Sequence, residues 1–129
     1  MEIAENAKLL TAEEMFDLPQ NERKAELIKG EIIYMAPTGG VHGVIGIRLG
    51  WRLGQYVEQN DLGVVCAAET GFVLEREPDT VRTPDVSFIS KDKIPETGIP
   101  EKYWNIPPEL AVEVLSPSEC MSDVLDKVN

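Results

Sequence analysis

The order of elements legible along the chain (helix, hairpin, helix, two strands, loop, strand, helix) predicts an α+β fold. Three observations carry that prediction: a helix-start signature at Thr11, apolar residues at helical spacing between His42 and Asn60, and β-rich runs bounded by glycine and proline. Thr11 opens Thr-Ala-Glu-Glu, where its side chain caps a helix and Glu14 reaches back to the Thr11 amide. That helix runs to about Leu18, and Pro19 ends it. Residues Ala25 to Met35, AELIKGEIIYM, form two β-rich runs hinged at Lys29-Gly30, where glycine supplies the positive φ of a tight hairpin turn. After the loop Ala36 to Gly40, Val41, Ile45, Leu49, Leu53 and Tyr56 recur at helical spacing, which makes His42 to Asn60 the longest helix. Gly46, Gly50 and Gly54 each cost that helix up to ~1 kcal/mol relative to alanine, so close packing of its backbone on protein is expected in compensation. Residues Gly63 to Leu74 and Val81 to Ser90, separated by the polar turn EREPDT, read as two antiparallel strands. The stretch Lys91 to Pro108 carries Pro95, Pro100, Pro107 and Pro108 and reads as irregular. Glu109 to Leu115 reads as a buried strand. Ser116-Pro-Ser then starts a last helix in which Val124 and Val128 lie four apart, and the chain stops inside it at Asn129.

Composition sets outer bounds. A chain of 129 residues is expected to form a single domain over 1–129, and its formal net charge of −11 excludes a broadly basic, phosphate-clamping surface. With 43% hydrophobic and 27% charged residues it is neither disordered nor collagen-like. No apolar stretch approaches the ~20 residues of a membrane span. The start MEIAENAKLL lacks the basic and then hydrophobic blocks of a secretory signal, so a cytoplasmic location is expected. Cys66 and Cys120, two and far apart, support neither a disulfide scaffold nor a CxxC metal clip.

Two segments place acids where a strand should be apolar: Thr83-Pro-Asp85-Val-Ser-Phe-Ile-Ser and Leu110-Ala-Val-Glu113-Val-Leu-Ser-Pro. An ionised carboxylate in an apolar strand loses solvation unless it is paired or bound to a metal, so Glu113 between Val112 and Val114 invites a ligand. The alternative is a solvent-facing position. Pro84 removes a ladder donor and biases Thr83 toward extended backbone, so the Asp85 strand begins at an edge or irregularity. Two carboxylates on neighbouring strands supply hard oxygen ligands, and Mg²⁺ accepts one or two carboxylates while keeping waters that a substrate phosphate can replace. Downstream, Lys127 follows Asp123 by four residues on a helix face, which otherwise reads as a surface ion pair. His42 sits at the start of the long helix, where imidazoles commonly pack or hydrogen-bond, with a ligand or catalytic role as the lesser alternative. Gly39-Gly40 lacks the Lys-Ser/Thr of a phosphate loop, and Trp51, Tyr103 and Trp104 read as core or interface rather than as base-stacking platforms.

The succession AELIKGEIIYMAP, HGVIGIRL, VRTPDVSFIS, LAVEVLSPS and SDVLDK resembles the Uma-type restriction endonuclease family, a branch of the PD-(D/E)XK nuclease superfamily, over nearly the whole chain. The resemblance implies a restriction-endonuclease-like core of helix, three strands, helix and strand, in which a mixed β-sheet is flanked by helices and preceded by an N-terminal β-hairpin extension. It also implies Mg²⁺ held by acids on the second and third core strands, positions that Asp85 and Glu113 match. The superfamily pattern has a lysine two residues after the second acid, where this chain has Leu115. In the Uma-type branch a lysine on the following helix takes that place, and Lys127 in SDVLDK matches it. Glu26 matches an early acid of the family pattern, as a further ligand or a water-orienting group, with Glu31 behind it; hairpin surface is the alternative. Ending at Asn129, the chain is expected to lack the end of the last helix and the final strand.

The resulting expectation is a metal-dependent endonuclease acting on DNA as a homodimer. Asp85 and Glu113 hold Mg²⁺, for which Mn²⁺ can substitute, with the Val114 carbonyl as a backbone ligand. Lys127 faces the attacking water and Glu26 completes or orients the site. Local basic groups must offset the acidic surface, and Arg48, Arg52, Arg76, Arg82, Lys91 and Lys93 are the set at hand. The competing expectation, favoured by the net charge, is a non-catalytic nuclease fold kept for dimerisation or partner binding.

Overall fold

A computed structural model of the protein describes residues 8–19 and 24–115. The expected last helix, with Lys127 and Cys120, lies outside the described residues. In chain order the elements are α1 (Ala12–Phe16), β1 (Ala25–Ile28), β2 (Glu31–Tyr34), α2 (Gly40–Gln59), β3 (Gly63–Cys66), β4 (Phe72–Glu75), β5 (Thr80–Arg82), β6 (Val86–Ser90), a 3-10 turn (Lys91–Lys93) and β7 (Leu110–Val112). They fall into two compact units. The first takes the described residues up to Ala36 together with Gly71–Thr83 and Pro100–Pro107; the second takes Pro37–Thr70, Pro84–Ile99 and the described residues from Pro108.

In the first unit the capping box forms as expected: the Glu14 amide donates to Thr11 Oγ1 at 3.0 Å and the Thr11 amide to Glu14 Oε1 at 2.9 Å. The hairpin also forms, with Ala25 opposite Tyr34 and Ile28 opposite Glu31. Lys29 and Gly30 both adopt positive φ, 48° and 85°, the requirement of a two-residue turn whose twist suits antiparallel strands. A Cβ on Gly30 would stand 2.7 Å from the Leu9 Cβ, so only glycine fits there. The hairpin extends into a four-stranded antiparallel sheet of order β2-β1-β5-β4, with Leu27 directly opposite Val81. On that sheet α1 lays Ala12 and Met15 against Leu27, Val73 and Val81, with Leu10, Ile32 and Tyr103 packed around them. The irregular stretch contributes Trp104, whose ring stacks on Phe72 at 6.3 Å while the Val73 amide donates to the Trp104 carbonyl and the Trp104 amide to the Gly71 carbonyl.

The second unit is a three-stranded antiparallel sheet of order β3-β6-β7 with α2 packed on β3 and β6. This is the helix and three strands of the expected core. The helix ends in a left-handed residue, Asp61 at φ 52°, and the Leu62 amide reaches back to the Val57 carbonyl at 3.0 Å, the closing bond of a Schellman motif. Gly63 has φ 149°, and a Cβ there would lie 2.0 Å from the Ile89 carbonyl oxygen.

Four expectations need correction. The runs Gly63 to Leu74 and Val81 to Ser90 are four strands, because a turn at residues 67–70 splits the first and Pro84, with no amide to donate, splits the second. Antiparallel pairing survives the split, as β3 with β6 and β4 with β5. The strand expected over Glu109 to Leu115 is only Leu110–Val112; it is an edge strand, with Leu110 and Leu115 exposed, rather than a buried one. Glu26 is no surface residue of the hairpin, being 2% exposed. Finally, the glycine stripe of α2 makes contact at one place only: a Cβ on Gly50 would meet Val86 at 3.8 Å, whereas one on Gly46 or Gly54 would meet no described atom within 4 Å.

Candidate functional site

The second unit brings three chain segments together around Asp85. Val86 pairs with Val112, and the Asp85 amide continues the ladder by donating to the Val112 carbonyl at 3.0 Å. Asp85, just before β6, and Glu113, just after antiparallel β7, therefore stand at the same end of two adjacent strands. The segment beyond β7 returns the contact, since the Val114 amide donates to Asp85 Oδ2 at 2.7 Å. From the first turn of α2, His42 Nε2 approaches the same oxygen to 3.3 Å. Both side chains are largely buried, His42 at 14% and Asp85 at 11% exposure. A carboxylate that takes a short amide bond and an imidazole contact on one oxygen has little rotational freedom left. Glu113 and Val114 are half-buried.

Glu26 belongs to the first unit, on β1. Its carboxylate accepts from the Thr83 amide at 2.8 Å and from Arg82 at 3.3 Å, with the Thr83 hydroxyl at 3.4 Å. The acid thereby satisfies the chain where β5 ends. Glu31, at the start of β2, is exposed. Most of the basic set is committed to carboxylates: Arg76 to Glu13 and Asp79, Arg82 to Glu26, Lys91 to Asp61 and Lys93 to Glu109. Arg48 and Arg52 stand exposed, four residues apart on α2.

Among the described residues no group of three or more His, Cys, Asp or Glu side chains is placed to hold a metal ion. What the second unit offers is smaller: two carboxylates at one end of neighbouring strands and backbone oxygens beside them. That donor chemistry suits a hard cation which keeps several waters. His42 is the residue whose part could not be found from sequence. It is the one histidine of the chain, and its place behind Gly39-Gly40 hints at a helix start, but the partner far along the chain is a product of the fold.

The family model described as "Uma2: Putative restriction endonuclease" matches residues 12–129. Among solved structures, a protein from Anabaena variabilis described as "a putative nuclease belonging to DUF820" is similar over 92% of this chain, with a TM-score of 0.76 and 24% identity. The chain spans 65% of that protein's length. At that identity the likeness concerns the fold alone, an α+β architecture. No curated protein matches the chain.

Proposed function

Since this chain belongs to the Uma2 family of restriction-endonuclease-like proteins, we propose that it is a metal-dependent endonuclease hydrolysing DNA phosphodiester bonds. The observation that carries the reading is the register of β6 and β7, which sets Asp85 and Glu113 at one end of adjacent strands. The donors fit Mg²⁺ or Mn²⁺ in kind: two carboxylates and the Val114 carbonyl are hard oxygen ligands, and they are few enough to leave positions for water and phosphate. The cation would supply charge neutralisation on the phosphate and a more acidic water. The chain's own part is to hold the carboxylates still and to complement charge. Asp85 is fixed at Oδ2 by the Val114 amide, so it need not reorganise when a cation arrives. Lys127, outside the described residues, is assigned to stabilise negative charge developing on the phosphate. Glu26 is assigned a supporting part, holding Thr83 and Arg82 at the end of β5. A second copy of the chain is the expected protein partner.

A second reading has support of its own. The net charge of −11 opposes a nucleic acid polymer, and α2 exposes Val41, Ile47, Trp51 and Tyr56 at 60% or more. These features favour a non-catalytic nuclease fold that binds a protein partner. The two readings part on one experiment, Mn²⁺ titration followed by cleavage of plasmid and linear duplex DNA in Mg²⁺. For an endonuclease, Asp85→Ala and Glu113→Ala lose both the metal and cleavage, while Lys127→Ala keeps the metal and loses cleavage. No cleavage by the unmutated protein across varied duplexes would favour the partner-binding reading, and cleavage unchanged by Lys127→Ala would remove that lysine's role.

A further inference from the structure

Resting on the metal-dependent reading above, we infer that His42 is a positioning residue for the Asp85 carboxylate, acting from the first turn of α2 rather than as a ligand itself. Three observations lead there. His42 Nε2 lies 3.3 Å from Asp85 Oδ2, and the Val114 amide reaches that same oxygen at 2.7 Å. An amide donor and an imidazole nitrogen set against one oxygen restrain the plane of a carboxylate as well as its place, because the group cannot turn about its last bond without moving away from one of them. Both side chains are shielded, at 14% and 11% exposure, so water competes weakly for the contact. Finally, no described trio of ligand-type side chains encloses a metal position, which argues for His42 behind the carboxylate instead of beside Asp85 and Glu113 on a cation.

The role needs only the neutral imidazole with its proton on Nε2, so no charge on His42 is invoked. Each contact is anchored on a different element. The amide comes from the segment after β7 and the imidazole from α2, while Asp85 itself directly precedes β6. Orientation of the acid is therefore a property of the folded second unit and not of its local sequence. Groups standing behind a metal-binding side chain in this way typically change metal affinity by about 10- to 100-fold when removed.

The test uses Mn²⁺ as the probe, measured by calorimetry, with thermal melting of each metal-free variant alongside. His42→Ala should weaken Mn²⁺ binding by about 10-fold or more, and His42→Gln, which restores an N–H donor, should recover most of the loss. Equal affinity in His42→Ala and the unmutated protein overturns the inference, as does a Gln variant no better than Ala at equal thermal stability. Because the chain holds a single histidine, its long-range ¹H–¹⁵N spectrum is free of overlap and can be read on the unmutated protein even if a variant does not fold. The expected spectrum has the proton on Nε2 before and after Mg²⁺ is added; a proton lost from Nε2 on adding Mg²⁺ would make His42 a ligand and overturn the inference. Asp85→Ala separates this claim from the reading beneath it. If that variant loses Mn²⁺ while His42→Ala does not, the positioning role alone falls; if it binds Mn²⁺ as the unmutated protein does, the metal reading falls and takes the role with it.

Discussion

Glu26, whatever part it has in the proposed site, also carries structure. Its carboxylate is buried and meets the Thr83 amide, the Thr83 hydroxyl and Arg82. Removing it leaves a buried N–H unsatisfied and a guanidinium without its partner, so Glu26→Ala should cost about 3 kcal/mol in urea unfolding. A loss below about 1 kcal/mol, the range of exposed ion pairs, would deny that role. Asp79 makes a second residue-level prediction. Burial alone would raise its pKa, yet the Ala12 and Glu77 amides and the Arg76 guanidinium outweigh burial and leave it below the ordinary carboxylate value. An acid whose folded pKa is lowered stabilises the fold above its unfolded pKa of about 3.9, and that contribution is lost as pH falls through the folded value. The urea midpoint should therefore drop below about pH 4, and Asp79→Asn should be less stable at neutral pH with a shallower acid limb. Parallel acid limbs in the two proteins would contradict the assignment. As candidate site residues, Asp85 and Glu113 were legible because an acid in a β-rich run is conspicuous. The parts of His42 and Glu26 were not, since each depends on a partner that only tertiary structure brings near.

At the scale of elements, local chemistry was the better guide. Thr11 with Glu14 and Lys29-Gly30 act within a few residues, so the capped helix and the hairpin follow from sequence directly. Strand boundaries failed where a short turn or a proline interrupts a long β-rich run, because composition does not register a change of sheet. β3 and β4 come from one such run yet pair in different sheets. The glycines of α2 failed for another reason: helical spacing places Gly46, Gly50 and Gly54 near one another, but only Gly50 has a described neighbour within 4 Å. This yields a graded prediction. Gly46→Ala and Gly54→Ala should each raise stability by up to ~1 kcal/mol through helix propensity and a less flexible unfolded chain. Gly50→Ala, whose Cβ would make ordinary contact with Val86, should be neutral or mildly stabilising. Gly63→Ala should be strongly destabilising, since its Cβ would collide with the Ile89 carbonyl. Chemical denaturation of the four variants checks the order, and destabilisation at Gly46 or Gly54 would mean that something covers the stripe.

For the whole molecule the governing quantity is charge. Nucleic acid binding usually draws on many lysines and arginines, each releasing counterions from the phosphate backbone and steepening the salt dependence. Here the net charge is −11, and four of the six basic residues on which DNA contact was expected to draw are paired with carboxylates. Arg48 and Arg52 are exposed on successive turns of α2, and the proposed endonuclease would draw on them for phosphate. Two phosphate contacts give a slope of log affinity against log salt near about −2, where a basic DNA-binding domain making six to ten contacts gives about −5 to −9. Duplex binding followed by fluorescence anisotropy across a salt series, with Ca²⁺ replacing Mg²⁺ so that cleavage does not intrude, should return the shallow slope. Arg48→Ala with Arg52→Ala should then flatten it to about −1 or shallower, the share left to Lys127. A slope steeper than about −4 in the unmutated protein would mean that the ion-paired residues release their carboxylates on meeting DNA, and a slope unmoved by the double substitution would take the α2 pair out of the contact.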